Sequence, residues 1–311
     1  MPTVVLPYEI SNSEIQTFLR CRRKWWLSYV ERWRPETSAG SYVGPLALGS
    51  RVHKVLEGYY KKGLSLADEH SRLLDEARIM MADDGFALEK LDAEGELGRL
   101  MLEGYEAWVD EEGLDADLAT LGVEEILKYD ILPGKVRLIG KIDLRVHRLR
   151  DDTRAILDFK TSANFADVTV TAHMAPQLLT YMALDHASGD EKTRVDGGIY
   201  RMLKKVKRGP RAVPPFYQEI VVRHNIFFLR SFWTRLRGIL TDMYEARRAI
   251  ESGEDPLYHA YPTPTRDCSW SCPFLKICPM FDDGSGAEDA LRDAFVKSDP
   301  YDYYHDGDSE T

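Results

Sequence analysis

The chain lacks any hydrophobic run that approaches the roughly 18 residues of a membrane-spanning helix. Its first residues, MPTVVLPYEI, also lack the basic and apolar regions of a signal peptide. These two absences lead us to expect a cytoplasmic protein with no membrane partner. With 44% hydrophobic and 30% charged residues among 311, the composition is that of a globular chain with a substantial buried core.

Cysteine is scarce, with only four in the chain. Without an export signal, metal binding or catalysis is a better expectation for these thiols than disulfide bonds. Cys268, Cys272 and Cys278 lie together in the segment RDCSWSCPFLKICPMF, and the fourth cysteine is Cys21. Four thiolates suit either Zn²⁺ or a 4Fe-4S cluster, and the spacing does not decide between them. The alternative is that the four are ordinary buried side chains.

The chain also lacks a net positive charge, although its acidic residues are unevenly distributed. Residues 282–311 contain ten Asp or Glu and two Lys or Arg, and so account for most of the net charge of -10. This segment is rich in Gly, Ser and Asp, which predicts a largely disordered acidic tail with a helical turn or two in residues 288–297. Residues 204–211, in contrast, carry five cations in eight residues, which suits a phosphate backbone or a solvated loop.

Hydrophobic periodicity divides the rest of the chain into helices followed by alternating strands and helices. A capping-box pattern at residues 13–16 predicts the start of a first helix that runs to about Glu31, with Cys21 in its middle. This order predicts an α/β or α+β domain with an N-terminal helical layer. The other predicted helices are 48–63, 66–83, 87–112, 174–188 and 225–252, and the predicted strands are 122–131, 136–147, 154–160, 197–202 and 216–222.

Residues 140–160 form the pattern of a β-hairpin whose turn centres near Asp151. Alternation places Asp143 opposite the segment that holds Asp158 and Lys160, and cross-strand neighbours lie roughly 4.5 to 5.5 Å apart. Two carboxylates at that distance repel each other unless a cation such as Mg²⁺ or Mn²⁺ lies between them. A nearby lysine completes a set suited to metal-assisted phosphodiester hydrolysis. The alternative is a surface hairpin with solvated charges.

Two helices add further polar side chains. Gln177 and Tyr181 are four residues apart and share one helix face. His53 borders the apolar stripe of its helix, where a packed or hydrogen-bonded role is the usual one.

Taken in order, these features resemble the PD-(D/E)xK nuclease superfamily, in particular its RecB-like branch with an iron-sulfur cluster. That branch includes the CRISPR-associated RecB-like exonucleases and the nuclease domains of AddB-type helicase-nucleases. The resemblance covers most of residues 11–281. It rests on Cys21 in the first helix, His53 in GSRVHKVLE, Asp143 in GKID, Asp158-Phe159-Lys160, Gln177 with Tyr181 as QxxxY, and the three terminal cysteines.

The resemblance implies a restriction-endonuclease-like α/β fold with a central mixed sheet flanked by helices. It implies one nuclease domain over residues 1–281, with a helical layer at 11–112, a core at 120–252 and a cysteine segment at 262–281 that closes onto Cys21. It also implies that Mn²⁺ or Mg²⁺ is bound by His53, Asp143, Asp158 and the Phe159 carbonyl, and that Glu124 or Glu125 contributes a carboxylate. Lys160 then activates the water, while Gln177 and Tyr181 steady the site. The implied 4Fe-4S cluster is held by Cys21, Cys268, Cys272 and Cys278.

Two positions depart from the family pattern. Three residues separate Cys268 from Cys272 where relatives usually have two, and Asp158 stands where relatives often have Glu. The resulting expectation is a metal-dependent DNA exonuclease acting on single-stranded ends, in recombination, repair or replication. No helicase motif is present, so the protein acts alone or with a recombination, helicase or CRISPR-adaptation partner. The alternative is a non-catalytic DNA-binding or assembly module that keeps the fold.

Overall fold

The computed structural model describes residues 6–36, 42–189 and 194–305. None of the helices in these ranges is both long and apolar enough to cross a membrane. The helices are α1 (Asn12–Arg20), α2 (Arg22–Trp25), α3 (Pro45–Lys62), α4 (Leu66–Met80), α5 (Gly85–Glu111), α6 (Ala166–Thr171), α7 (Pro176–Ser188), α8 (Ile226–Glu251), α9 (Pro256–His259), α10 (Cys268–Ser271), α11 (Ala287–Ala294) and α12 (Asp302–His305). The strands are β1 (Tyr8–Ser11), β2 (Trp33–Pro35), β3 (Leu118–Leu132), β4 (Val136–Arg148), β5 (Thr153–Ser162), β6 (Gly197–Lys204), β7 (Tyr217–Arg223) and β8 (Phe295–Lys297).

The chain divides into two compact units. The terminal unit contains residues 6–36, 128–140 and 230–305 of the described chain, and the central unit contains residues 42–127, 141–189 and 194–229. Strands β3 and β4 each contribute residues to both units.

The central unit contains the predicted hairpin. Strands β4 and β5 pair antiparallel from Leu144 with Leu157 to Arg148 with Thr153, which confirms the turn near Asp151. Strand β6 pairs parallel with β5 and antiparallel with β7, and β3 pairs with β4. The sheet is therefore mixed, and helices flank it, as expected for the α/β fold.

The core of the central unit lies where α3 and α5 cover one face of this sheet. Both helices place an apolar side chain every three or four residues against the inward-facing positions of β4, β5 and β6. Leu157 and Phe159 belong to this core, so the alternate residues Asp158 and Lys160 belong to the other face of β5. The remaining members include Leu48, Val52, Val55, Leu56, Met101, Leu102, Tyr105, Val109, Leu144, Val146, Ala155, Ile199 and Leu203.

The first helix of the terminal unit differs from its prediction in two ways. Its N-cap is Ser11, whose side chain accepts a hydrogen bond from the Glu14 N–H, rather than Ser13. It also ends at Arg20, because Cys21 is extended (φ -160°, ψ 111°). Two residues later, the Arg23 N–H bonds the distant carbonyl of Tyr261 at 3.2 Å. The chain then continues as α2 and a π-helical segment over Trp26–Val30.

The acidic tail forms more secondary structure than predicted, and its predicted helical turns are present as α11. Within residues 282–305 the chain forms α11, β8 and α12, and β8 pairs antiparallel with β2. Phe295 stacks on Phe274 with ring centres 4.9 Å apart, and Tyr301 and Tyr304 are buried. The few apolar side chains of an otherwise acidic segment therefore anchor it, while residues 306–311 lie outside the described chain.

A buried polar network connects this C-terminal segment to α1. The carboxylate of Glu14 is fully buried and accepts hydrogen bonds from Trp25 Nε1 at 2.8 Å and from the Tyr301 hydroxyl. Burial raises the pKa of Glu14 above its ordinary value of 4.5, although both hydrogen bonds act in the opposite direction. Ionised Glu14 is thus a cost to folding at neutral pH.

We therefore expect Glu14→Gln to melt about 3 °C higher than the parent protein at pH 8. An acid with a raised pKa contributes stability below the unfolded value of about 4.5 and loses it as the pH rises through the folded value. The difference between variant and parent should accordingly shrink as the pH falls from 8 towards 4.5. Thermal unfolding across this range measures it, with the exposed Glu245→Gln as the matched control. A constant difference at every pH would contradict the assignment.

Candidate active site

Asp143 lies on β4 directly beside the end of β5. Its Oδ2 accepts a hydrogen bond from the Phe159 N–H at 3.0 Å, so the hairpin brings it to the Asp158-Phe159-Lys160 segment. Burial, followed by the negative charge of Asp158, raises the pKa of Asp143 well above its ordinary value. The two carboxylates thus interact as the sequence predicted, and a cation between them would favour ionisation of both.

Asp158, Lys160, Gln177 and Tyr181 form one hydrogen-bonded group. Lys160 Nζ lies 2.6 Å from Asp158 Oδ2 and donates to Gln177 Oε1 at 2.7 Å. Gln177 Nε2 donates to Asp158 Oδ1 and to the Tyr181 hydroxyl, both at 3.1 Å. Helix α7 therefore holds the amide that fixes both the carboxylate and the ammonium group of β5.

His53 approaches the same group from α3. Its Nδ1 is 3.6 Å from Asp143 Oδ2, and its ring packs edge-on against Phe159 with centres 6.3 Å apart. Burial lowers the pKa of His53, which favours the neutral imidazole that binds metal ions. Phe159 itself contacts Asp143 through its N–H.

A distortion of β3 gives the two candidate glutamates, Glu124 and Glu125, different partners on β4. Consecutive residues of a regular strand point to opposite faces, yet Glu124 pairs with Lys141 at 2.5 Å and Glu125 pairs with Arg145 at 2.8 Å. Lys141 and Arg145 are four apart on β4 and share one face. The backbone accommodates both pairs because Glu124 adopts a positive φ of 54°.

Gly122 permits this arrangement, since a Cβ there would collide with the Glu125 carboxylate. Of the two glutamates, Glu124 is the one whose charge helps to raise the pKa of Asp143. Burial in turn raises the pKa of Glu124. Both glutamates are thus paired with a cation of β4, and Glu124, held by Lys141, is the one whose charge acts on Asp143.

The donor set fits a hard divalent cation. Asp143 and Asp158 supply carboxylate oxygens whose charges oppose each other, and His53 supplies a neutral nitrogen. Nevertheless, no three His, Cys, Asp or Glu side chains within the described ranges are already arranged to hold a metal ion. In this arrangement the Lys160 ammonium is the cation beside Asp158.

Sequence reasoning missed Tyr200 and the partner of Lys141. Tyr200 pairs with Asp158 in the parallel β5–β6 register, and its ring centre lies 5.6 Å from Lys160 Nζ. Only the register of a non-local strand pair places it there, so the sequence carried no signal for it. Alternation did place Lys141 on the face of Asp143, but its contact with Glu124 depends on the distorted strand.

The four cysteines all belong to the terminal unit and have free, partly buried thiols. Burial, together with the nearby Cys268 and Cys21, raises the pKa of Cys272. Cys21 acts in the same direction on Cys278, whose pKa is also raised first by burial. Cys21 therefore lies near enough to act on both Cys272 and Cys278, and Cys268 lies near enough to act on Cys272.

Several donors contact the sulfur atoms. The Thr265 N–H donates to Cys268 Sγ at 3.4 Å, and buried Arg23 lies 3.7 Å from Cys278 Sγ. Arg23 also donates to the Cys278 carbonyl at 2.9 Å and forms a two-pronged ion pair with Asp282. Donors of this kind stabilise thiolates in metal and cluster sites. The chemistry of these residues is therefore that of a four-thiolate group, although no three of the thiols in the described ranges are already arranged to hold a metal ion.

Comparison with known families adds one finding. A model described as the PD-(D/E)XK nuclease superfamily matches residues 9–279, which is most of the chain. No curated protein matches the sequence.

Proposed function

Because this chain belongs to the PD-(D/E)XK nuclease superfamily, we propose that it is a DNA exonuclease that digests single-stranded ends. The observation that carries the proposal is the group around β5, in which Asp143 faces Asp158 and Lys160 while Gln177 fixes both members of the ion pair. This is a set of residues for phosphodiester hydrolysis, and it lies within the central unit.

The superfamily uses a divalent metal, and Mg²⁺ or Mn²⁺ would be held here by Asp143, Asp158 and His53, with the Phe159 carbonyl as a further oxygen. When bound, such an ion polarises the phosphate and acidifies water. Lys160, fixed by Gln177, presents an ammonium group to a phosphate oxygen or to the attacking water. Tyr181 steadies Gln177, so α7 acts as the support of the site.

The proposal extends to the terminal unit, where Cys21, Cys268, Cys272 and Cys278 would hold a 4Fe-4S cluster. Its support is the shared neighbourhood of the four thiols and the donors that contact them. In this proposal the cluster is structural, and the chain is a member of the RecB-like branch that works in DNA recombination, repair or replication.

The direct test incubates anaerobically purified protein with end-labelled single-stranded and double-stranded DNA, with Mg²⁺, with Mn²⁺ and with chelator. We expect metal-dependent shortening of the single strand from its end. Cleavage at internal positions would show that the protein is an endonuclease rather than an exonuclease. DNA binding without any metal-dependent product would favour a non-catalytic binding module.

The two glutamates of β3 provide a matched pair of variants. We expect Glu124→Gln to reduce cleavage roughly tenfold to a hundredfold, because the charge of Glu124 acts on Asp143 and adds to the charge that attracts the metal. Glu125→Gln removes the same charge one residue away, from a carboxylate that pairs with Arg145 rather than with Lys141. Initial rates over a series of Mg²⁺ concentrations measure the effect. Equal losses in both variants would show that Glu124 has no special part in the site.

A further inference from the structure

Lys205 is a half-buried cation of the central unit that the proposed chemistry does not use. It directly follows β6, and its backbone N–H donates to the Ser162 carbonyl at the end of β5 at 2.8 Å. Its Nζ donates to the carbonyl of Pro45, the first residue of α3, at 3.0 Å. These two contacts fix Lys205 at the end of β5 and at the start of α3.

One face of α3 lies next to Lys205 at Gly49 and next to the candidate active site at His53. Gly49 lies one helical turn before His53, and a Cβ on Gly49 would stand 3.0 Å from Thr161 Oγ1 and 3.9 Å from Lys205 Nζ. The glycine therefore permits the close approach of α3 to the strand end that follows Lys160. Neighbours one helical turn apart are separated by roughly 5–6 Å, so His53 follows on the face of α3 that Gly49 turns to Lys205.

The electrostatics agree with this placement. Burial lowers the pKa of Lys205, as expected for an ammonium group that is partly removed from water. At the start of α3 the carboxylate of Glu94 is taken by Arg51 and the Gly44 N–H, at 2.9 and 2.6 Å.

The cations around Lys205 in the 204–211 loop differ from it. Lys204 Nζ donates to the Val213 carbonyl at 2.9 Å. Arg208 packs on the Phe216 ring, 3.8 Å from its centre, and donates to the Tyr217 hydroxyl at 2.9 Å. Lys207 is exposed. Lys205 alone among these four is both half-buried and directed to the start of α3.

We propose that Lys205 binds a phosphate of the DNA strand next to the phosphate that is cleaved. A half-buried ammonium group with no carboxylate partner in the described chain is stabilised by an anion from outside. The start of α3 adds the positive end of its helix dipole and has no acidic residue in its first turn. The proposal rests on the nuclease function, and it names a substrate-binding residue rather than a catalytic one.

The experiment measures binding of a labelled single-stranded oligonucleotide in chelator, where cleavage is absent, over a series of salt concentrations. Lys205→Met should weaken binding about tenfold and reduce the slope of log K against log salt by about 0.7, the value for one lost phosphate contact on a single strand. Lys205→Arg should retain both, since it keeps the charge. Lys207→Met, an equal loss of charge on the same loop, is the control and should change the affinity less than twofold.

Cleavage with Mg²⁺ is measured in parallel on the same proteins. If the parent protein binds DNA but does not cleave it, the proposed nuclease function is contradicted. The binding measurements on the Lys205 variants would still test whether Lys205 binds a phosphate. Equal effects of Lys205→Met and Lys207→Met would overturn the proposal. So would a Lys205→Arg protein that loses affinity together with thermal stability, because that result would assign Lys205 to the fold.

Discussion

Lys160→Ala is expected to lower DNA cleavage by roughly 10³-fold while leaving the fold intact, on the scale of a lost catalytic proton-transfer or charge-stabilising group. Lys160 is held by Asp158 and Gln177, so its ammonium group has a fixed position at the carboxylates. It is also partly exposed, and its removal leaves no cavity in the apolar core. Single-turnover cleavage of end-labelled single-stranded DNA at saturating Mg²⁺ and Mn²⁺ measures the loss.

Two further variants distinguish the loss of a catalytic group from a general effect of charge on DNA binding. Asp158→Asn should be equally inactive, because it keeps the shape of the side chain but removes the anion that pairs with Lys160 and that would hold the metal. Lys54→Ala removes a lysine from the exposed face of α3, next to His53, and should cleave like the parent. A Lys160→Ala protein with full activity would exclude this group as the catalytic site. An equal loss in Lys54→Ala would indicate a general effect of charge on DNA binding.

The parts of this site that the sequence predicted depend on local periodicity. The alternation of β4 placed Asp143 on a polar face, and a hairpin with a turn near Asp151 brings that face to β5 in a fixed register. Helical spacing likewise placed Gln177 and Tyr181 on one side of α7, where they are hydrogen-bonded to each other. Such patterns are properties of a few neighbouring residues, so they can be read without the rest of the fold.

The parts that the sequence did not predict depend on contacts between distant residues. Cys21 leaves the helical conformation where the next turn of chain meets Tyr261. Glu124 is directed to Lys141 on β4 by a positive φ that the residue pattern does not predict. Phe295 stacks on Phe274, a contact that the composition of an acidic segment does not predict. In each case a tertiary contact overrides the local preference.

Replacement of a cysteine is the second change with a large expected effect. Cys278→Ser should abolish the brown colour and visible absorbance of anaerobically purified protein, since the proposed four-thiolate cluster loses one ligand and Arg23 loses its contact with the Cys278 sulfur. Because the binding free energy of a structural metal group is also folding free energy, we expect the melting temperature to fall by roughly 10 °C.

Metal analysis and a matched variant decide what such a loss means. Trp270→Ala changes an exposed side chain between Cys268 and Cys272 and should keep both the colour and the melting temperature. Four iron atoms per chain in the parent, lost in Cys278→Ser, would agree with the cluster, whereas one zinc atom would assign the same thiols to Zn²⁺. A parent protein that contains neither iron nor zinc would contradict a four-thiolate site.

Since the proposed catalytic residues lie in the central unit and the cysteines in the terminal unit, cleavage per folded molecule should survive in Cys278→Ser. A cluster that takes part in the chemistry would instead abolish cleavage even in the molecules that stay folded.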